Sequence, residues 1–147
     1  MSQIRGKSIV IFEHNDKYLF TVCYEQERKE TFYIPPGGGI EFGEHSLDAA
    51  KREVMEEIGQ ETKNERLLEI TENIFTYNGI AEHEIVFAYS AEFKNSTAYI
   101  DNLKGNLNAE GKEIKLVWAS LNEIRQNNIR LFPSSLSTIL STELEKH

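Results

Sequence analysis

Only one cysteine, Cys23, occurs in the 147 residues, so no disulfide can close within the chain and nothing in it asks for an oxidising compartment. No apolar run approaches the roughly 20 residues of a membrane span, and the apolar stretch at residues 9–12 is too short for the core of a signal peptide. Basic residues are scarce as well. Sixteen Lys and Arg stand against 24 Asp and Glu, and a formal net charge of -8 is the wrong sign for gripping long nucleic acid through its phosphates. Repeats, low-complexity tracts and Pro/Gly/Ser-rich linkers are missing too, so one domain over residues 1–147 is expected. What remains is a chain with 39% hydrophobic and 27% charged residues, globular in composition and long enough to bury a core. The expectation is a cytosolic protein without a membrane partner.

The acidity is concentrated. Between Glu41 and Glu61 stand seven acids (Glu41, Glu44, Asp48, Glu53, Glu56, Glu57 and Glu61) and two bases, Lys51 and Arg52. Such an excess is either a solvated helix face or a site that uses its charge.

Around this window the pattern alternates between strands and helices. Strands are expected at residues 8–12 and 18–24, with a turn at His14-Asn15-Asp16 between them. A polar loop follows at 25–31, and then Phe32-Tyr33-Ile34 leads into Pro35-Pro36-Gly37-Gly38-Gly39, which cannot be helix and is a poor interior strand. Residues 46–59 read as a helix, with Ser46 as N-cap and Gly59 as the C-terminal stop. Further strands are expected at 66–77, 84–93 and 113–119. The second of these alternates as a half-buried strand would, with Ile85, Phe87, Tyr89, Ala91 and Phe93 on one face. Residues 94–112 form a long polar loop. Ser120-Leu121-Asn122-Glu123 is a capping-box pattern opening a short helix, and a last helix runs from 133–135 to about 144. Strands mixed with two or three helices point to an α/β or α+β layered fold.

On the helix at 46–59, Leu47, Ala50, Val54 and Ile58 form one apolar stripe. Glu53, Glu56 and Glu57 fall on a neighbouring arc about 100° wide. Three carboxylates at i, i+3 and i+4 repel one another, and they lie in the last turns, where the helix dipole disfavours anions. A purely structural helix would gain from a lysine here. The arrangement becomes favourable if a divalent cation supplies the missing charge: Mg²⁺ prefers oxygen ligands, keeps waters and is shared between carboxylates and substrate phosphates. Arg52 is spaced to pair with Glu56 or reach back to Glu44, holding carboxylates in orientation. The glycines before the helix let backbone approach it closely, offering a carbonyl to a metal or an N–H to a phosphate.

Read from Gly38, the sequence runs Gly, five residues, Glu44, seven residues, then Arg52-Glu53-Val54-Met55-Glu56-Glu57-Ile58-Gly59. This resembles the Nudix box of the Nudix hydrolases over residues 38–60, departing from it at Gln60, where the family usually has an aliphatic residue. The approach Ile34-Pro35-Pro36-Gly37-Gly38 and the later Trp118-Ala119-Ser120-Leu121-Asn122-Glu123-Ile124 are similar to the family at lower specificity. The resemblance implies an α/β/α sandwich around a mixed sheet and hydrolysis of a phosphoanhydride in a nucleoside diphosphate linked to another group, with Mg²⁺ or Mn²⁺ required. Carried onto this chain, it implies Glu53, Glu56 and Glu57 as metal ligands, with the Gly38 carbonyl as another candidate. Glu53 or Glu57 would activate water, and Arg52 and Glu44 would support the geometry. Family members often add an acid from a distant loop. Glu110 and Glu113 are the candidates here, or are plain surface acids.

Arg28, shortly before the glycine loop, is a candidate for meeting substrate phosphates, as are the backbones of Gly37 and Gly39; Arg28 also reads as an ordinary loop base. The partner expected is a small nucleotide or diphosphate, and monomer and homodimer both stay open. Two other functions fit the same family. A binding module that senses a nucleotide without cutting it has no need of all three glutamates. Isomerisation of a prenyl diphosphate calls for further acid/base residues, commonly a cysteine, and Cys23 sits in an apolar-rich strand ahead of the box.

Overall fold

In the computed structural model, which describes residues 2–145, the strands form two sheets packed between helices. The first sheet contains β1 (Ile4–Ile11), β5 (Gly37–Gly39), β6 (Thr62–Tyr77) and β7 (Ile80–Phe93) in the order β5-β1-β7-β6. β1 and β7 run parallel; the other pairs are antiparallel, so the sheet is mixed. The second sheet contains β2 (Glu13–His14), β3 (Lys17–Glu25), β4 (Glu30–Ile34) and β9 (Arg130–Leu131) in the order β2-β3-β4-β9, with β8 (Leu116–Ala119) also pairing with β3. Helix α1 (Ser46–Ile58) covers one side, and α2 (Leu121–Gln126) and α3 (Leu136–Glu145) pack on the other. This is the expected α/β/α sandwich.

The period-2 pattern of β1 and β7 explains the layering. Ile9, Ile11, Val86 and Ala88 point into the cluster shared with Tyr18, Phe20, Leu136 and Leu140. The alternate residues Val10, Phe12, Tyr89, Ala91 and Phe93 point to Ala50, Val54 and Ile58 of α1. A central strand covered by helix on one face and sheet on the other is apolar on both. The half-buried reading of residues 84–93 is therefore corrected: Val86 and Ala88 are as buried as Tyr89 and Ala91, while Ile85 lies beyond the reach of α1 and is exposed.

Other expectations shift in detail. β5 is a strand, tolerated because it is three residues long and lies at the sheet edge. The residue capping α1 is His45, without a side-chain bond, and not Ser46. Ser46 is the first helical residue; its hydroxyl bonds Tyr89 Oη at 2.6 Å and its carbonyl accepts from the Ser8 hydroxyl at 2.7 Å. Gly59 ends the helix in the left-handed region, donating to the Met55 carbonyl. Ser120 caps α2 as its pattern predicts, accepting from Glu123 N–H.

The two sheets are clasped at one end. The β6–β7 hairpin turns at Asn78-Gly79, both with positive φ, the pairing that a tight right-twisted hairpin favours. Asn78 N–H donates to Glu25 Oε2 at 3.0 Å, and Glu27 N–H donates to Asn78 Oδ1 at 3.1 Å. Glu25 is buried, and its other oxygen accepts from Arg130 Nη2 at 2.5 Å. A buried carboxylate is tolerated only when so paired.

Val54 is fully buried beneath α1. Val54→Asp should cost upwards of about 3 kcal/mol by burying an unpaired charge, and circular dichroism should show an unfolded chain or a large fall in the denaturant midpoint.

Candidate active site

The acid face of α1 meets the glycine strand at the edge of the first sheet, and that meeting depends on the absence of side chains. A Cβ on Gly38 would lie 2.5 Å from the Glu53 carboxylate. A Cβ on Gly37 would lie 2.1 Å from the Ser8 carbonyl oxygen. With hydrogen atoms in both places, Glu53 lies against the strand, and Gly37 N–H donates to Glu57 Oε1 at 2.8 Å.

Arg52 ties these parts together. Its Nε and Nη2 donate to the two oxygens of Glu44 at 2.8 and 3.0 Å, the bidentate fork that guanidinium geometry favours. Its Nη2 also donates to the Gly39 carbonyl at 2.9 Å, and its Nη1 donates to Glu53 at 3.0 Å and Glu56 at 3.3 Å. Glu44 in turn accepts from Glu41 N–H at 3.0 Å. One cation thus holds the loop before the helix, the glycine strand and two of the helix glutamates.

The electrostatics divide the acids. The Arg52 hydrogen bonds lower the Glu44 pKa to about 2, so it stays ionised. Burial acts the other way on Glu53, raising its pKa despite Arg52. Glu57 is raised to about 7, chiefly by burial, with the Gly37 N–H and Lys7 opposing and Glu53 adding to the rise. Two desolvated carboxylates beside one another are short of positive charge.

Any divalent cation here would meet oxygen donors only, the set that a hard ion such as Mg²⁺ takes. The residues fit that group chemically: Glu53 and Glu57 lack a full counter-charge, and Gly38 brings backbone against Glu53. Among the described residues, no three acidic, His or Cys side chains converge into a closed metal cluster. Arg52 Nη1 stands between Glu53 and Glu56 and takes an oxygen of each.

Beside this corner, between the two sheets, lies a cleft of about 300 Å³. Lys7 and Arg5 of β1 line it, with Asn73 and Phe75 of β6 and, from the second sheet, Phe32 and Phe132. Lys7 is paired in register with Gly39, and its charge is felt by Glu57 at one end and Cys23 in the cleft. Among the described residues, neither Lys7 nor Arg5 is in an ion pair.

The structure thus brings together Gly37, Gly38, Gly39, Glu44, Arg52, Glu53, Glu56 and Glu57. Among the described residues, no hydrogen bond or ion pair joins the side chains of Arg28, Glu110 or Glu113 to them. Glu110 and Glu113 are exposed, and their loop reaches α1 through Asn106, whose N–H donates to the Glu57 carbonyl at 2.7 Å and whose side chain donates to the Glu56 carbonyl at 3.0 Å. Arg28 lies 3.8 Å from Glu25 and is not among the cleft residues. Lys7, Arg5, Asn73 and Asn106 have no motif to announce them. Strand alternation places Lys7 and Asn73 on inward faces, but only if the strand limits and the partner sheet are known.

The sequence matches the NUDIX domain family over residues 4–138. Solved structures of similar fold include a NUDIX hydrolase from Nitrosomonas europaea (TM-score 0.70, 23% identity, covering 99% of this chain and 92% of that one). A MutT NUDIX hydrolase from Burkholderia pseudomallei superposes with TM-score 0.62 at 22% identity, covering 83% of this chain and 87% of the other. A UDP-X diphosphatase superposes with TM-score 0.67 at 15% identity, covering 100% of this chain and 66% of its own.

Two glycines should separate function from folding. Gly38→Ala meets only the end of the Glu53 side chain and should abolish most activity while leaving the thermal midpoint within a few degrees. Gly37→Ala meets backbone and should lower the midpoint sharply. A further consequence concerns pH. Glu57 holds its proton in the folded protein up to about 7, above the ordinary carboxyl value of 4.5. The stability this contributes is therefore full below about 4.5 and lost as pH rises through about 7. In chelator, calorimetry should show stability falling over that window by on the order of 3 kcal/mol, and Glu57→Gln should flatten the slope.

Proposed function

The chain belongs to the NUDIX family, hydrolases acting on pyrophosphate bonds in small nucleotide substrates with divalent metals, and from that premise we propose that it hydrolyses a phosphoanhydride in a nucleoside diphosphate linked to another moiety, a (d)NTP or nucleotide derivative, using Mg²⁺ with Mn²⁺ able to substitute. The observation carrying this reading is the pair of desolvated carboxylates, Glu53 and Glu57, held against the glycine strand beside a cleft lined by Lys7 and Arg5, which make no ion pair among the described residues.

On this reading Glu53, Glu56, Glu57 and the Gly38 carbonyl would hold the metal. When bound there, a divalent ion would supply charge neutralisation for the phosphate oxygens and a lowered pKa for water. Glu53 or Glu57 takes the proton of the attacking water, as a carboxylate with a pKa raised toward neutrality can. Arg52 and Glu44 do not touch substrate. Their bidentate pair and the Arg52 bond to Gly39 keep the helix acids in register with the strand. Lys7 and Arg5 supply positive charge for the phosphates at the mouth of the cleft, more directly than Arg28. The same reading makes the chain a single domain acting on small molecules in the cytoplasm, as monomer or homodimer. Among the described residues, no helix is long and apolar enough to cross a membrane.

Phosphate or pyrophosphate release from a panel of nucleotides, with and without Mg²⁺ and Mn²⁺, tests this directly. A folded protein that binds nucleotides and cuts none would be a sensor module instead. Glu53→Gln and Glu57→Gln should each lose at least about 10²-fold in kcat, the scale for a general base or a charge-stabilising group, while remaining folded, since neither lies on the apolar stripe. Near-normal turnover in both would refute the assignment.

A further inference from the structure

Helix α1 ends where its charge is worst placed. The last turn carries Glu56 and Glu57 and no basic residue, so nothing within it offsets the negative end of the helix dipole. The final carbonyls of a helix also lack N–H partners from the helix itself. Gly59 N–H takes the Met55 carbonyl at 2.9 Å. The next two carbonyls belong to the acids Glu56 and Glu57, and both are taken by one residue some 50 positions later. The Asn106 amide donates to the Glu56 carbonyl at 3.0 Å, and Asn106 N–H donates to the Glu57 carbonyl at 2.7 Å. A glycine stop and water would close an exposed helix end without such a partner.

The loop that brings Asn106 there is itself fixed. Trp118 Nε1 donates to the Ile100 carbonyl at 3.0 Å, and Phe93 N–H donates to Tyr99 Oη at 2.9 Å. Leu103 and Leu116 pack against the core beneath α1. Ile114 N–H donates to the Asn106 carbonyl at 2.9 Å, and a Cβ on Gly105 would lie 2.3 Å from the Ile114 carbonyl oxygen. The two sides of the loop therefore meet at Asn106.

We propose that Asn106 is a positioning residue for the acids at the end of α1, holding the backbone of Glu56 and Glu57 so that their carboxylates keep one geometry beside the glycine strand; this rests on the hydrolase reading of that site. Glu57 is gripped from two sides, by Asn106 N–H on its carbonyl and by Gly37 N–H on its carboxylate at 2.8 Å. With both ends tied, fraying of the last turn cannot carry the carboxylate away from the strand. Glu56 is exposed, and its side chain meets Arg52 at 3.3 Å, so its placement leans on the backbone tether. Asn106 does not line the cleft between the sheets, and its effect on substrate is indirect. Groups that orient metal ligands are typically worth about 10- to 100-fold in metal affinity or activity, and a misplacement of about 1 Å has effects of that size.

The test compares the protein with Asn106→Ala, and uses Asn108→Ala as control. Asn108 Oδ1 accepts from the Glu110 and Lys112 N–H groups at 2.9 and 3.0 Å, so the control loosens the same loop without removing a bond to α1. Affinity for Mn²⁺ alone, measured by electron paramagnetic resonance without substrate, should weaken at least about tenfold in Asn106→Ala and stay unchanged in Asn108→Ala. On the best nucleotide at saturating metal, kcat should fall about tenfold or more in Asn106→Ala while KM stays within about twofold. Thermal midpoints of both variants should stay within a few degrees of the unsubstituted protein. Unaltered Mn²⁺ affinity, a loss confined to KM, an equal loss in Asn108→Ala, or a fall of many degrees in Asn106→Ala would overturn the assignment and make Asn106 structural. Should the unsubstituted protein bind Mn²⁺ yet cut nothing, the hydrolase reading fails by itself, and the affinity comparison decides for Asn106. Should it bind no Mn²⁺, both fall.

Discussion

Glu53 occupies the volume that a side chain on Gly38 would fill, and Glu57 accepts the N–H of Gly37 one turn further along the helix. Most of the site follows from this close approach of a helix to a bare edge strand. With a methyl group at Gly38 the Glu53 carboxylate would be pushed out, and with one at Gly37 the strand itself would collide with β1. Three glycines in a row are costly in chain entropy. They are repaid by placing backbone and carboxylates within hydrogen-bonding distance.

The same approach creates an electrostatic debt that Arg52 settles only in part. Its strongest engagement is with Glu44, which remains ionised, and with the Gly39 carbonyl. Its remaining N–H groups touch Glu53 and Glu56 but not Glu57, which is the more deeply buried acid and the one raised to about 7. Charge on this helix is thus graded, from a saturated ion pair at the loop end to an uncompensated carboxylate next to the cleft. A divalent cation and a polyanionic substrate would bring the opposite charges together there.

The cleft lies between the two sheets, next to the end at which they are clasped. Glu25, Asn78 and Arg130 join the hairpin tips, and Arg130 also lies over Phe132 at 4.8 Å, bracing the aromatic wall. The loop after β7 is fastened by Asn106 to the last carbonyls of α1, which a helix end leaves without partners.

Residues 46–59 could be read in advance as a helix, its apolar stripe as core and its three glutamates as a charged arc, because a 3.6-residue period and fixed intervals are local properties. The glycine run beside that helix belongs to the same local signal, and so does the capping box at Ser120. Arg5, Lys7 and Asn73 could not be read this way: a strand residue faces a cleft or solvent according to which sheet lies opposite, and that is settled by pairing partners dozens of residues away. Ser46 failed as a cap for the same reason, since Tyr89 of a distant strand claims its hydroxyl. Local spacing, then, determined which acids share one helix face beside the glycine run; the packing of two sheets decided which cations and which amide lie near them, because burial and proximity are properties of the folded chain and not of any segment of it.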